Sequence, residues 1–302
     1  MFKFGEISDK CVKCGKCIQV CTIHQINPDE TTSPRGFLDL MGAYERGELK
    51  LDKSAKNIFE SCFLCASCVD VCPNSLRVDT AIENVRRDIA EKFGIAWYKK
   101  AFFWLLRHRA IMDFCARLGY VFQSCAFKIR EGAMSPRFSL PMVKKERLLP
   151  TASKKSFLNS HAEFIDNGGD KTIGVFIGCM GNYAYTGIGE ALVKIARELG
   201  LNLNLMKKQA CCGAPAYFTG DFATVEVLAK RNIEYFEKML SELDAIIVPE
   251  ATCSAMIKID YEHFFHDDEH WRERAKAVSK KIFLATEYFE KFTNLAEILA
   301  KK

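Results

Sequence analysis

One cysteine pattern occurs twice in this chain and decides the fold of its first part: Cys11-Val12-Lys13-Cys14-Gly15-Lys16-Cys17-Ile18-Gln19-Val20-Cys21 and Cys62-Phe63-Leu64-Cys65-Ala66-Ser67-Cys68-Val69-Asp70-Val71-Cys72-Pro73. In each run the cysteines are separated by two, two and three residues. Three thiolates at this spacing can bind one face of an iron–sulfur cube, while the fourth points away and binds the other cube. We therefore predict two [4Fe–4S] clusters with crossed ligands. The first is assigned Cys11, Cys14, Cys17 and Cys72, and the second Cys62, Cys65, Cys68 and Cys21.

Two other uses of cysteine fit this pattern less well. Structural zinc sites pair C-x2-C knuckles, usually with four ligands in all. Disulfide frameworks belong to short secreted chains, whereas this chain has 302 residues and opens on MFKFGE, without an apolar signal segment. The fourteen cysteines indicate a reducing compartment. We expect a cytoplasmic protein, either free or peripheral on the inner face of the cell membrane.

The composition sets the broad class of the protein. An apolar content of 49% over 302 residues fits a folded chain of two or so domains. The sequence has no run of 18 apolar residues, so no spanning helix is expected. Residues 97–155 carry 13 Lys and Arg against three acids, a net charge of +10 within a chain of net charge +5. This basic middle suggests an electrostatic docking surface. No nucleic-acid motif occurs, and nucleic acid is not an expected partner.

Residues 1–94 are predicted to form the double-cluster domain. Forty residues separate Cys21 from Cys62, too many for a compact bacterial ferredoxin. Helical periodicity over 37–47, 53–62 and 78–93, with Gly94 as a stop, predicts an α-helical ferredoxin-like domain.

Residues 95–170 are predicted to be a basic, aromatic helical segment followed by a linker. Over 97–127, aromatic side chains alternate with Lys and Arg in a pattern typical of helices at an interface. Two interpretations remain open: packing on a partner subunit or on the C-terminal domain, and direct contact with a membrane. Cys115 and Cys125 are expected to be buried apolar thiols. Prolines, lysine pairs and Gly168-Gly169 argue against a continuous element over 131–170.

Residues 171–302 are predicted to form an α/β domain. Strands are expected at 172–178, 203–206 and 245–249, and helices at 189–199, 222–240, 272–279 and 285–292. This alternation predicts a parallel sheet with right-handed crossovers.

A second cysteine group follows these strands. Cys179 ends the first strand, Cys211 and Cys212 follow the second, and Cys253 follows the third. The carboxyl ends of strands in an open α/β sheet converge on one crevice, and clustered thiolates favour a soft metal or a cluster. We predict a third iron–sulfur or zinc centre here, with buried structural thiols as the alternative.

The spacing Cys179-x31-Cys211-Cys212-Gly213-x39-Cys253 resembles the cysteine-rich "CCG" domain of heterodisulfide reductase catalytic subunits. The double ferredoxin run is similar to the iron–sulfur subunits of glycolate and lactate oxidases and of anaerobic glycerol-3-phosphate dehydrogenase. Ser33-Pro34-Arg35-Gly36 is close to a sequence found in the glycolate oxidase subunit. Together these features span nearly the whole chain.

The resemblance implies an electron-transfer subunit of an oxidoreductase. Its partners would be an FAD-containing dehydrogenase subunit, a second CCG-bearing or membrane subunit, and a quinone or other electron acceptor. Because no flavin or nicotinamide motif occurs in this sequence, chemistry on the organic substrate is expected in a partner. The alternative is a heterodisulfide reductase-like or thiol:fumarate reductase-type subunit in which the CCG centre itself performs disulfide chemistry.

Two features depart from the resembled pattern. The CCG motif generally ends in C-x-x-C, but this chain has Met256 after Cys253-Ser254-Ala255. A thioether is a weaker ligand than a thiolate, so Met256 argues against a cluster with five cysteine ligands. The chain also has one CCG unit where two are usual. Either another polypeptide carries the second unit or the chain is a shortened relative.

Overall fold

The computed structural model describes residues 2–130, 133–139 and 143–301, which form two compact units. The first unit comprises Met1–Ala96 together with Pro215–Ala223. The second comprises Trp97–Ala214 and Thr224–Lys302.

The first unit is built from helices separated by the loops that carry the cysteines. These helices are α1 (Phe4–Asp9), α2 (Lys16–Gln19), α3 (Thr22–Ile26), α4 (Pro34–Glu45), α5 (Lys53–Glu60), α6 (Ser67–Asp70) and α7 (Val78–Phe93), with a 3-10 turn at Glu30–Thr32. The three predicted helices are confirmed as α4, α5 and α7, with α4 beginning earlier and α5 ending earlier than predicted.

The segment Ser33-Pro34-Arg35-Gly36 has the residue types that the start of α4 requires. Ser33 Oγ accepts a hydrogen bond from Gly36 N at 3.0 Å and so caps the helix, while Pro34 occupies its first turn. A Cβ on Gly36 would lie 1.8 Å from the carbonyl oxygen of Glu30, so the close approach of the backbone requires glycine. Arg35 then pairs with Glu30, Nε to Oε1, at 2.6 Å.

The core of the first unit lies between α4, α5 and α7. Phe37, Met41, Phe59, Ile82 and Val85 are at most 1% exposed. These side chains come from the apolar faces of the three helices, and they hold the cysteine loops on a packed base.

The described residues of 97–301 add helices, two sheets and a π-helical turn at Met256–Asp260. The helices are α8 (Trp97–Arg107), α9 (Arg109–Ala126), α10 (Phe157–Ser160), α11 (Gly178–Tyr183), α12 (Thr186–Glu198), α13 (Ala214–Tyr217), α14 (Phe222–Met239), α15 (Ala251–Ala255), α16 (Tyr261–Phe264), α17 (Glu269–Ser279), α18 (Ala285–Phe292) and α19 (Leu295–Ala300). The strands are β1 (Phe127–Arg130), β2 (Ala133–Pro136), β3 (Leu149–Pro150), β4 (Phe164–Ile165), β5 (Thr172–Val175), β6 (Asn202–Asn204), β7 (Ala245–Val248) and β8 (Ile282–Leu284).

The larger sheet has the strand order β4-β6-β5-β7-β8. Strands β6, β5, β7 and β8 are parallel, with Ile173 opposite Leu203 and Ile247 opposite Phe283. The short edge strand β4 runs antiparallel to β6. Ile173, Leu203 and Ile247 are at most 1% exposed. The expected combination of a helical first part and an α/β second part with a largely parallel sheet is confirmed.

The described part of 131–170 forms no element longer than four residues, but it is not without regular structure. Strands β2 and β3 pair in a small antiparallel sheet with β1, and α10 and β4 follow. Short strands of two to four residues leave too little periodicity to be found in a sequence rich in proline and lysine. Residues 131, 132 and 140–142 of that range lie outside the described residues.

The burial expected for Cys115 and Cys125 is wrong, since both thiols are exposed on α9. Amphipathic periodicity predicted the helix and left open which of its faces meets the protein. No described helix is long and apolar enough to cross a membrane.

Candidate metal centres

Two cavities of the first unit bring the eight cysteines of the repeated pattern together. One is lined by Cys11, Cys14, Cys17 and Cys72, and also by Cys68. The other is lined by Cys21, Cys62, Cys65 and Cys68. Each cavity therefore holds three cysteines of one run and the fourth cysteine of the other. Pro34 and Val78 line both cavities, which share a wall.

The two cysteine loops have the same unusual backbone. The residues flanking Cys14 are left-handed, with φ 54° at Lys13 and 80° at Gly15. The residues flanking Cys65 repeat this, with φ 54° at Leu64 and 58° at Ala66. A left-handed conformation costs a residue with a side chain about 1–2 kcal/mol. Strain of this kind persists where the surroundings enforce it, typically at functional sites.

Backbone amides point at several of the sulfurs. Leu64 N donates to Cys62 Sγ at 3.4 Å, and Leu76 N donates to Cys72 Sγ at 3.5 Å. His24 N donates to Cys21 Sγ at 3.5 Å. Hydrogen bonds to cysteine sulfur stabilise thiolate and tune the potential of a cluster that the thiolate binds.

Burial raises the pKa of the thiols of Cys17, Cys62 and Cys68. Buried thiols without an ion stay protonated at neutral pH, so binding of iron displaces their protons. Eight soft sulfur donors, arranged in two groups of four against apolar walls, suit two iron–sulfur cubes.

Arg86 places a positive charge beside the second cavity. It is 8% exposed, and in the described residues its hydrogen-bond acceptors are all backbone carbonyl oxygens. Its Nη2 donates to Cys62 O at 2.6 Å, to Phe59 O at 3.0 Å and to Glu60 O at 3.1 Å. Its Nη1 donates to Phe218 O at 3.0 Å. The guanidinium thus fixes the chain that leads into Cys62 through bonds to backbone oxygens.

The second cysteine group lies at the carboxyl ends of three parallel strands, as predicted. Cys179 is on α11 after β5, Cys211 and Cys212 are in the loop after β6, and Cys253 is on α15 after β7. Cys211, Cys212 and Cys253 are at most 7% exposed.

The thiols of this group form a hydrogen-bonded row. The Sγ of Cys211 accepts from the thiols of Cys179 and Cys212, and Cys212 also contacts Cys253. These donors, together with Gly213 N at 3.5 Å, hold the pKa of Cys211 well below its usual range. The same contacts and burial raise the pKa of Cys179 and Cys212. Cys211 is therefore the thiol of the group that loses its proton most readily.

Buried polar side chains fix the backbone around these thiols. Gln209 Oε1 accepts from Ile177 N at 2.9 Å, and its Nε2 donates to Val175 O at 3.1 Å, so it joins the ends of β5 and the loop after β6. Asn232 Nδ2 donates to Cys211 O at 3.0 Å, and Tyr261 Oη donates to Cys212 O at 2.8 Å.

Glu250 and Gly178 close the other side of the group. Glu250 Oε1 accepts from Gly181 N at 2.6 Å, and its Oε2 lies 3.7 Å from Cys253 Sγ. Burial raises the pKa of this carboxyl. Gly178 has φ 73°, and a Cβ there would lie 3.0 Å from Cys253 Sγ.

Met256, which stands in place of a cysteine, is fully buried at the start of the π-helical turn. Across the described residues, no three His, Cys, Asp or Glu side chains are arranged to hold a single metal ion.

A small cavity gives access to the row of thiols. It is lined by Cys179 and Cys211 on one side and by Leu106, Arg109 and Met112 on another.

Sequence comparison agrees with this division of the sites. Residues 7–76 match the family described as "4Fe-4S dicluster domain", and residues 173–258 match the family described as "Cysteine-rich domain", CCG. The chain joins a dicluster domain to one CCG domain. A dicluster domain implies two [4Fe–4S] clusters.

The curated relatives are distant. A "Probable glycolate oxidase iron-sulfur subunit" of Bacillus subtilis is 28% identical over 92% of this chain and 64% of the relative. "Lactate utilization protein A" of Exiguobacterium is 32% identical over 43% of this chain and 51% of the relative. An uncharacterized iron-sulfur protein of Methanocaldococcus jannaschii is 25% identical over 83% of this chain and 44% of the relative.

This chain therefore spans between 44% and 64% of the length of these relatives. No solved structure gives a significant match.

Three positions important to these sites escaped the sequence prediction: Arg86, Asn232 and Tyr261. Each lies on a helix at a position where a polar residue is ordinarily solvated, and nothing in the local pattern distinguishes it. Gly15, by contrast, could have been recognised from the sequence, because glycine beside a ligand cysteine is typical of left-handed backbone.

Proposed function

We propose that this chain is the iron–sulfur electron-transfer subunit of a flavin-dependent oxidoreductase acting on a 2-hydroxy acid, glycolate or lactate, or on glycerol 3-phosphate. The observation that carries the proposal is the crossing of the cysteine runs, with Cys72 in the cavity of the first run and Cys21 in that of the second. The names of the relatives support the reaction class. When bound, two [4Fe–4S] clusters pass single electrons from a flavoprotein partner towards a quinone or other acceptor.

The ligands proposed for the first cluster are Cys11, Cys14, Cys17 and Cys72, and for the second Cys62, Cys65, Cys68 and Cys21. Residues of this chain contribute in two ways. Amide donors on the sulfurs and the buried charge of Arg86 favour the more reduced, more negative form of a cluster. The packed base formed by α4, α5 and α7 holds the two cysteine loops at fixed positions.

The first experiment measures iron, zinc and acid-labile sulfide per chain in anaerobically purified protein. About eight irons and eight sulfides are expected for two cubes, and about twelve irons would show that the CCG site also holds a cluster. Zinc without labile sulfide would contradict the proposal and indicate a zinc-stabilised scaffold.

The crossed assignment is tested by single substitutions. Cys72→Ser should alter the electron paramagnetic resonance signal of the cluster bound by the first run, and Cys21→Ser that of the second. Cys115→Ser is the matched control, because its thiol is exposed and lines neither cavity. If Cys72→Ser and Cys21→Ser left both signals unchanged, the crossing would be wrong.

The assignment of a flavoprotein partner is tested separately. Affinity-tagged chain from its native host should co-purify with a flavoprotein, and that complex should reduce the clusters when glycolate, lactate or glycerol 3-phosphate is added. Purification of loaded chain without flavin would count against this part of the proposal.

A second candidate is disulfide chemistry at Cys179, Cys211, Cys212 and Cys253. The observation that favours it is the lowered pKa of Cys211 beside a cavity that also exposes Cys179. Reduction of one disulfide would consume two electrons and two protons and give two thiols. Reduced viologen dye supplies the electrons in the test, and turnover by the wild type that Cys211→Ser abolishes would support this function.

A further inference from the structure

Helix α9 presents its apolar side to solvent. Five large apolar residues at helical spacing are between 39% and 66% exposed and form what we call the apolar stripe: Ile111, Phe114, Leu118, Val121 and Phe122. Cys115 and Cys125 lie on the same side and are exposed. Residues three, four and seven apart share one face of a helix, so the five residues form one continuous strip along about 17 Å of helix.

Three polar residues of α9, Arg109, Asp113 and Gln123, bond to the protein instead. Arg109 Nη1 donates to Gln209 O at 3.1 Å, and Asp113 Oδ1 accepts from Tyr183 Oη at 2.5 Å. Gln123 Oε1 accepts from Ala152 N at 3.2 Å. These bonds fix the rotation of the helix, and the apolar stripe stays on the outside. The usual arrangement of a surface helix is the reverse.

A basic cleft borders the apolar stripe within the second unit. Its volume is about 460 Å³, and its lining includes Arg117, Val121, Lys154 and Lys155. The three cations are exposed. Because Val121 belongs to both the stripe and the cleft wall, apolar and cationic surface meet there without a gap.

Around the stripe cations outnumber acids, although Asp113 also lines the cleft. Lys128 and Arg130 are exposed on β1, on either side of the exposed Ile129. Among the described residues of 97–155, the acids are Asp113, which is bonded inward to Tyr183, and Glu146. An apolar strip bordered by cations matches the two layers of a bilayer surface, acyl chains below and anionic headgroups above.

We propose that the apolar stripe and the basic cleft form a docking surface for a bilayer that contains anionic phospholipid. The stripe inserts between the acyl chains, and Arg117, Lys154 and Lys155 bind headgroup phosphates. A bilayer fits better than a protein partner, because its anionic headgroup layer complements the excess of cations beside the apolar stripe. The docking surface extends the proposed function and rests on it, because a lipid-soluble quinone acceptor is reached only at a membrane.

The test is sedimentation of the cluster-loaded chain with vesicles of phosphatidylcholine alone, or of equal parts phosphatidylcholine and phosphatidylglycerol. The wild type should bind the mixed vesicles, and more weakly as salt is raised. The double variant F114Q/L118Q should bind them about tenfold more weakly, because two apolar side chains no longer enter the acyl region. The double variant K154Q/K155Q should also lose about tenfold, on the mixed vesicles only.

Matched controls come from elsewhere in the same unit. Leu299→Gln replaces an apolar residue that is 62% exposed on α19, and K276Q/K280Q removes two exposed lysines of the α17 end. Both should bind like the wild type. Iron and sulfide content is measured on every sample, so that a folding or loading defect is separated from a binding defect.

Three results would overturn the docking surface. The first is a loaded wild type that sediments with neither vesicle, and the second is F114Q/L118Q binding as the wild type does. The third is a wild-type dimer, seen by light scattering without vesicles, that F114Q/L118Q converts to monomer; the stripe would then be an interface between two copies. A chain that binds vesicles through the stripe but carries no iron would overturn the proposed function and leave the docking surface standing.

Discussion

Replacing Arg86 with methionine should destabilise the first unit by about 3 kcal/mol. Methionine has a similar length and no charge or donor, so the change removes the guanidinium with little change in packing. The affected acceptors are the carbonyl oxygens of Phe59, Glu60, Cys62 and Phe218, at 2.6–3.1 Å from the guanidinium nitrogens.

The magnitude follows from the burial of these four oxygens. Phe59 is fully buried, and its carbonyl oxygen would lose its partner where water does not reach, which costs about 1–3 kcal/mol. The other three bonds are partly buried, and each contributes about 0.5–1.5 kcal/mol net when water can replace the donor. Burial disfavours the charged guanidinium and lowers the pKa of Arg86, and removing that cost offsets part of the loss.

Urea denaturation of the loaded protein, followed by the visible absorbance of the clusters, measures the loss of stability. Arg46→Met is the matched control. Arg46 also makes a two-pronged contact, with Glu48 at 2.8 and 3.0 Å, but its side chain is 52% exposed, and exposed pairs contribute about 0–1 kcal/mol. Arg86→Met should also lower the reduction potential of the cluster bound near Cys62. Arg86→Lys keeps the positive charge, so its cluster potential should be closer to that of the wild type than its free energy of unfolding is.

Equal shifts of the urea midpoint in Arg86→Met and Arg46→Met would refute the contribution assigned to the Arg86 bonds. A raised cluster potential in Arg86→Met would also refute it, because the loss of a nearby positive charge can only disfavour added electrons.

Further changes test the backbone and polar contacts. Ala66→Gly should raise the free energy of unfolding by about 1 kcal/mol, and Gly15→Ala should lower it by a similar amount, because both positions have positive φ. If the two variants shifted the melting temperature in the same direction, this expectation would be contradicted. Asn232→Ala should cost about 2–3 kcal/mol by leaving Cys211 O and Ala210 N without their partner, measured by urea denaturation against the wild type. Arg274 holds the pKa of Glu237 below its usual range. The pair should therefore stabilise the protein fully above the pKa that the Glu237 carboxyl has in the unfolded chain. This stabilisation should disappear as the pH falls through the lower pKa of the same carboxyl in the folded protein. Glu237→Gln should remove that part of the pH dependence of the melting temperature.

The sequence predicted the grouping of the cysteines more completely than the elements between them. Spacing alone indicated which cysteines share a cavity, because a rigid cube demands it. Helices such as α7 were found at their observed bounds, since sixteen residues provide several helical periods. Strand β8 was missed, because its three residues carry almost no periodic signal.

The buried polar positions could not be predicted for a different reason. Arg86, Gln209 and Asn232 are stabilised by backbone groups distant in sequence, and only the folded chain brings those groups together. The orientation of α9 could not be predicted for the same reason. Its pattern shows two faces, and the bonds of Arg109 and Asp113 decide which one is turned inward.

The membership of Pro215–Ala223 in the first unit constrains how this protein can be divided. A gene fragment that stops at Ala96 encodes both cysteine runs but omits the Phe218 carbonyl that Arg86 binds. It also omits Gly220, where an added Cβ would lie 2.3 Å from Arg86 O. Such a fragment should exchange the amide hydrogens of α7 faster than the full chain does. Recombination between relatives at residue 96 would separate two pieces of one folding unit, so the two halves of this chain are expected to be inherited together rather than exchanged as independent modules.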